Sequence, residues 1–181
     1  MRTFLVALIL LALPATAQEL SDRYQVIGEM AVTLDGTDMI LPIAVDLENK
    51  SSFAEIRPAY GSVRMLSVAG VTATDEGGWD APVISLVISI SGAGGGSLMA
   101  IDLVEKGRGN KKPTVADMEF GSMDLPDFSI TEDGAVDFRF SGELIRTVLD
   151  DSFVQTPEDG QSPVAISGKV SVVIPEAYRV Q

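Results

Sequence analysis

Apolar residues alternate with polar residues along most of the chain after residue 17, which is the spacing of β-strands that bury one face. Asp-Gly pairs and glycine-rich stretches interrupt these runs at the intervals that turns between strands require. The pattern predicts an all-β fold: a single antiparallel two-layer β-sandwich of about eight to ten strands over residues 18–181. A closed up-and-down β-barrel is the alternative, because it uses the same strands and turns.

The first predicted hairpin joins residues 24–34 to residues 39–47 through Asp35-Gly36. A two-residue type I′ turn at this Asp-Gly pair predicts three apolar cross-strand pairs: Val32 with Met39, Met30 with Leu41, and Val26 with Val45. Pro42 would then face Glu29 in a pair without hydrogen bonds. Because proline cannot donate to a neighbouring strand, we expect the second strand to be an edge strand at this point.

A second predicted hairpin surrounds Glu132-Asp133-Gly134. A three-residue loop pairs apolar residues with each other, namely Ile130 with Val136 and Phe128 with Phe138. A loop of two residues would instead set apolar side chains against charged ones, and burial of one face penalises that slip. The sequence therefore predicts a type I turn with Gly134 in the left-handed conformation, closing a bulge.

Other runs have the composition of strands but differ in how clearly they alternate. Core strands are predicted at residues 83–90, 98–104 and 164–174, the last with a bulge at Gly168, and shorter strands at residues 53–57, 62–72 and 114–120. Residues 143–153 remain open between two structures, because their apolar residues would also suit one face of a short helix.

The first 17 residues have the order of a signal peptide. A positive charge at Arg2 precedes ten apolar residues, 4–13, and the small residues of Ala15-Thr16-Ala17 follow. Ten residues are about half the ~20 that a membrane-spanning helix needs, so we predict cleavage after Ala17 and no transmembrane segment after processing. A chain without cysteine has no disulfides and no lipid-anchoring cysteine. Because exported chains without disulfides are commoner in bacteria than in animals, we expect a soluble protein in the bacterial periplasm or secreted into the medium.

The amino-acid composition excludes several kinds of catalytic and metal-binding site. The 181 residues include no histidine and no cysteine, which excludes an imidazole base, a thiol nucleophile and a zinc site of those ligands. Thirteen Lys and Arg against 26 Asp and Glu give a net charge of −13, and this charge disfavours nucleic acid as a partner. The sequence thus predicts a protein that is not an enzyme and holds no cofactor.

Two groups of charged residues are candidate sites. The basic loop comprises Lys106, Arg108, Lys111 and Lys112, and it is interpreted either as a surface for an acidic polymer or lipid headgroup or as a solvent-exposed turn. Carboxylates in turns can bind Ca²⁺, and the candidates for such a site are Asp124, Asp127, Asp150 and Asp151. Their other interpretation is turn formation and surface solubility.

Three functional hypotheses follow from these observations. The first is a non-catalytic binding or structural role in the bacterial envelope, with a protein or another envelope component as partner. The second is a small-molecule carrier of the lipocalin type, in which a barrel encloses an apolar cavity. The third is a hydrolase that works with two carboxylates alone, which requires a facing pair and a raised pKa on one of them.

Overall fold

The computed structural model describes residues 19–109 and 111–179, so the predicted signal peptide, residues 1–17, lies outside the described residues. Strands make up 62% of the described residues, and α-helices are absent from them. Within the same ranges, no helix has the length and apolar character needed to cross a bilayer. The all-β prediction is confirmed.

Twelve strands and a terminal 3₁₀ turn follow one another along the described chain. The strands are β1 Tyr24–Leu34, β2 Thr37–Asp46, β3 Ser51–Ser52, β4 Ala54–Pro58, β5 Arg64–Ala73, β6 Trp79–Ile90, β7 Gly96–Val104, β8 Thr114–Ala116, β9 Ser122–Ile130, β10 Ala135–Leu149, β11 Gln155–Pro157 and β12 Val164–Val173. The 3₁₀ turn spans Glu176–Tyr178. Because β3, β8 and β11 have only two or three residues each, the count exceeds the predicted eight to ten.

The strands form one open antiparallel sheet that is folded into two layers. Its order is β3-β2-β1-β12-β10-β8-β7-β6-β5-β4, and β9 and β11 also pair with β10. The long strand β10 belongs to both layers, since its first part pairs with β12 and β9 and its last part with β8 and β11. Across the layers, β2 lies against β5 and β7 against β9. The sandwich prediction therefore holds, and the closed-barrel alternative is wrong.

Apolar side chains from both layers fill the space between them. The largest fully buried ones include Met30 and Leu41 from one layer, Leu66 and Leu86 from the other, and Phe138 from β10. These residues belong to one continuous cluster. The interior of the described part is thus occupied by side chains, and an enclosed cavity of the lipocalin type finds no support there.

The first hairpin has the predicted turn and most of the predicted register. Val32 faces Met39, Met30 faces Leu41, and Pro42 faces Glu29 on the outer edge of β2. Asp35 and Gly36 have φ angles of 46° and 78°, as a type I′ turn requires. One predicted pair is wrong: Val26 faces Ala44 rather than Val45, because a bulge between Val26 and Gly28 shifts the register.

The second hairpin is confirmed in full. Ile130 pairs with Val136 and Phe128 with Phe138. Gly134 has a φ of 86°, and the Thr131 N–H donates to the Ala135 carbonyl at 2.9 Å. This turn forms one wall of the candidate site.

The predicted bulge at Gly168 is wrong. Pairing runs through this residue without a shift, with Val32 on one side and Phe140 on the other. A Cβ at this position would lie 2.6 Å from the Ala31 carbonyl oxygen and 2.8 Å from Cε1 of Phe140. Glycine is required here because the Phe140 ring lies over the backbone of β12.

Two further segments differ from or refine the sequence predictions. Residues 143–153, for which the sequence allowed either a strand or a helix, form a strand as far as Leu149, where β10 ends, and then a turn. The strand predicted at residues 114–120 is restricted to Thr114–Ala116. The remaining residues, from Asp117 to Phe120, form a turn closed by the hydrogen bond from the Asp117 N–H to the Phe120 carbonyl.

Candidate functional site

Carboxylates of the same chain form ion pairs with all four cations of the basic loop. Its five ion pairs are Lys106 with Asp80 at 3.3 Å, Arg108 with Glu158 at 2.9 Å and with Glu105 at 3.5 Å, Lys111 with Asp151 at 2.7 Å and Lys112 with Glu158 at 2.7 Å. The hydrogen bonds from Lys112 and Arg108 lower the pKa of Glu158. Because each loop cation already has an anionic neighbour, the structure does not favour this loop as a surface for an acidic polymer or lipid headgroup.

Glu105, which follows β7, forms the densest polar network near this loop. Arg146 on β10 donates from Nε and Nη2 to its two carboxylate oxygens, each at 2.9 Å, and the Thr114 hydroxyl donates to Oε1 at 2.6 Å. The bonds from Arg146 lower the pKa of Glu105, and the bond from Thr114 adds to this effect. The network holds β7 and β10 together and has a structural role.

The candidate calcium ligands are placed in separate local structures. Asp124 and Asp127 lie on β9, where Asp127 faces Arg139 at 3.4 Å. Asp150 accepts N–H bonds from Ser152 and Val154 in a turn, and Asp151 pairs with Lys111. In the part of the chain that the structure describes, no group of three or more carboxylates is arranged to hold a metal ion. The calcium hypothesis gains no support from this arrangement.

One pair of carboxylates has the electrostatics that the hydrolase hypothesis requires. Partial desolvation and the charge of Asp117 raise the pKa of Asp102 on β7. However, Asp117 accepts the N–H groups of Glu119 and Phe120 at 2.8 and 2.9 Å, so its carboxylate closes a turn. Neither carboxylate lines the cavity described next. Because Asp117 already has this local role and the two carboxylates line no shared cavity, the hydrolase hypothesis gains no support from the pair.

A surface cavity of about 320 Å³ lies at one end of the sandwich. It is bounded by the turn between β9 and β10, the start of β5, the middle of β4 and the C-terminal 3₁₀ turn. Its lining residues are Ile56, Arg64, Ile130, Thr131, Glu132, Asp133, Gly134, Glu176 and Arg179. We call this space the arginine cavity.

Among the described residues, the two arginines of this cavity differ from most other cations because they form no ion pair. Nine of the described lysines and arginines have a carboxylate within 4.0 Å. Among residues 19–109 and 111–179, the cations without such a partner are Lys50, Arg64 and Arg179. Arg64 and Arg179 both line the arginine cavity, and Lys50 lines a neighbouring cavity of about 390 Å³ that shares Ile56 with it.

Arg179 is held in place without a carboxylate within 4.0 Å in the described residues, although its charge also lowers the pKa of Asp133 in the same lining. Its Nη1 donates to the Glu132 carbonyl oxygen at 2.8 Å, and its backbone forms a parallel bridge with Ile56 on β4. Its Nε is buried and has no hydrogen-bond partner. The side chain lies directly on Gly134, where a Cβ would come within 2.7 Å of its Cδ. The Nε donor of Arg179 is therefore unpaired and covered by the backbone at Gly134.

The other walls of the arginine cavity supply one more cation and an apolar floor. Arg64 is the first residue of β5 and pairs with Pro58 and Ile90 on the flanking strands. Ile56 is 2% exposed, and Ile130 is partly exposed and packs against the core cluster. The lining thus offers two guanidinium groups and the exposed part of Ile130, while Ile56 lies almost fully covered beneath them.

Three carboxylates complete the lining, namely Glu132, Asp133 and Glu176. The Thr131 hydroxyl donates to Asp133, and this bond lowers the pKa of Asp133, so that carboxylate stays ionised at neutral pH. The site therefore combines two cations with three carboxylates, which we call the acidic rim. These carboxylates repel an anionic ligand, and the repulsion grows with the negative charge of the ligand.

The sequence does not mark Arg64 or Arg179 as site residues, because each is a single cation remote from the other along the chain. The Gly134 turn, which was predicted, is the one part of this site with a clear sequence signal. Family models, curated proteins and solved structures provide no match to the chain.

Proposed function

We propose that the protein is exported to the bacterial envelope and acts there, without catalysis, as a binding protein for an anionic ligand. The observation that carries this proposal is the pair Arg64 and Arg179, which line one cavity without a carboxylate partner in the described residues of a strongly acidic protein. The lack of histidine and cysteine in the sequence supports a binding role over a catalytic one.

The chemistry of arginine favours an oxyanion as the ligand. A guanidinium presents five N–H donors in a planar fork that matches two oxygens of a carboxylate. A buried donor without an acceptor carries a desolvation penalty, and the Nε of Arg179 is such a donor. Hydrogen bonds between ionised partners are also the stronger kind, and the partly buried position of both arginines limits competition from water.

The export half of the proposal predicts processing at a defined bond. When the full chain is expressed in a bacterium, the periplasmic fraction or the medium is expected to contain a product that begins at Gln18, because the small residues Ala15 and Ala17 precede that bond. Mass spectrometry of the purified protein measures the new N-terminus. Recovery of the unprocessed chain in the cytoplasm alone would contradict export.

The binding half predicts that charge on the ligand is required. Hexanoate is expected to bind residues 18–181 saturably, as measured by NMR titration, whereas hexan-1-ol at equal concentration is not. Arg64→Met and Arg179→Met are each expected to weaken hexanoate binding about tenfold or more, because each removes charge-assisted hydrogen bonds. Circular dichroism shows whether each variant is folded.

A matched control for these variants is Arg139→Met. Arg139 is an exposed arginine on β10 that pairs with Asp127, outside the arginine cavity. Its replacement is expected to leave hexanoate binding unchanged. Equal binding of the alcohol and the carboxylate, or equal affinity in all three variants, would overturn the assignment of the cavity.

A further inference from the structure

We infer that the ligand of the arginine cavity is an amphiphilic monocarboxylate, that is, one carboxylate joined to a short apolar group. This inference rests on the anion binding proposed above and specifies the chemical class of the anion. Three properties of the cavity carry it: the balance of charge, the apolar floor and the volume.

The balance of charge favours a single negative charge. Two guanidinium groups share the lining with Glu132, Asp133 and Glu176, so the surroundings are not positive as a whole. A ligand with two or more charges, such as phosphate or sulfate, would be repelled by the rim more than a monoanion would. A single carboxylate carries one charge and accepts charge-assisted hydrogen bonds from a guanidinium, so it exposes the least charge to the rim.

The apolar floor favours a ligand with a hydrocarbon part. Ile56 and Ile130 lie in the same lining as the arginines, and the methylene stems of Arg64 and Arg179 add apolar surface. Ile130 keeps part of its side chain exposed at the edge of the core cluster. An apolar group that covered this surface would remove it from water, which a small inorganic anion cannot do.

The volume limits the length of that apolar group. About 320 Å³ corresponds to roughly ten water molecules at ~30 Å³ each, so the space suits a ligand of roughly ten non-hydrogen atoms. A carboxylate with a chain of about six to eight carbons fits this limit. Longer chains would extend into solvent and add little further affinity.

The decisive experiment is a ligand series with residues 18–181, measured by isothermal titration calorimetry at physiological ionic strength. The probes are acetate, butanoate, hexanoate, octanoate, succinate, sulfate and inorganic phosphate. Affinity is expected to rise by up to about fourfold for each methylene that the cavity covers and then to level off. Succinate, sulfate and phosphate are each expected to bind at least about tenfold more weakly than octanoate.

A variant of the floor tests the same inference from the protein side. Ile130→Ala is expected to reduce the gain in affinity per methylene across the series from acetate to octanoate, because it shortens an apolar contact and keeps both arginines. Val173→Ala is the matched control, since Val173 is an exposed apolar residue on β12 that does not line the cavity. The wild-type series alone decides the question if Ile130→Ala does not fold.

The outcomes separate this inference from the proposed function. If all carboxylates bind equally and depend on Arg64 and Arg179, or if sulfate or phosphate binds more tightly than octanoate, the amphiphile inference is overturned while anion binding stands. If no probe binds saturably, or if binding survives loss of both arginines, the proposed function falls together with the inference. Rising affinity with chain length that both arginine variants abolish supports both.

Discussion

Replacing Phe138 by alanine is expected to lower the free energy of unfolding by about 3–5 kcal/mol. The Phe138 ring is 2% exposed, and its centroid lies 6.1 Å from that of Phe128 and 6.3 Å from that of Phe140. Truncation would leave a cavity between three strands, because Phe138 on β10 pairs with Phe128 on β9 and Val170 on β12. Close-packed neighbours can only partly collapse into such a space.

Urea unfolding followed by circular dichroism measures this change. Phe153→Ala is the matched control, since Phe153 is 85% exposed and lies in the turn after β10. The control is expected to change the free energy of unfolding by less than about 0.5 kcal/mol. Similar losses for both variants would show that burial of Phe138 does not set its contribution.

Where two strands alternate cleanly and a short turn joins them, the sequence was enough to predict the register. Both predicted hairpins have the expected turns, because a slip of one residue would expose the buried face. The bulge after Val26 was missed, although Gly28 offered a signal. A Cβ there would lie 2.4 Å from the Ser171 carbonyl oxygen, so this glycine marks close approach of β12 beside the bulge.

The ambiguity over residues 143–153 has a structural cause. Along β10 the buried residues Phe138 and Phe140 are two apart, but the next ones, Leu144 and Thr147, follow at intervals of four and three. The helical interpretation rested on Leu144, Ile145, Val148 and Leu149, and the last three of these are only half-buried. Regular alternation ends here because the strand leaves one layer and enters the other. Gly142 lies at this crossing, where a Cβ would be 2.2 Å from the Ser122 carbonyl oxygen.

The candidate site could not be predicted from charge along the chain. The basic loop is conspicuous in the sequence, but its partners Asp80, Asp151 and Glu158 come from other parts of the chain and neutralise it. Arg64 and Arg179 are inconspicuous in the sequence because neither has cationic neighbours. Which cations keep unpaired donors depends on tertiary pairing, and a count of charges contains no information about that pairing.

Glu105→Gln is expected to lower the free energy of unfolding at pH 7 by about 1.5–3 kcal/mol, because the two bonds from Arg146 then lose their ionised acceptor. The Glu105 side chain is 22% exposed, so solvent partly screens its interaction with Arg146 and favours the lower end of this range. Asp127→Asn is the control, since Asp127 forms an exposed pair with Arg139, and it is expected to cost less than about 1 kcal/mol.

The pH dependence of this difference follows from the lowered pKa of Glu105 in the folded protein. Above its unfolded pKa of 4.5, Glu105 is ionised in both states and the stabilisation by Arg146 is complete. As the pH falls below that value, the unfolded chain binds the proton first, so this stabilisation is lost progressively toward the lower pKa of the folded state. The difference in urea unfolding between the wild type and Glu105→Gln should therefore be largest at pH 7 and narrow as the pH is lowered below 4.5. An equal difference across this pH range would mean that the glutamine disturbs packing, because a loss of charge pairing must fade once the wild-type carboxyl is protonated.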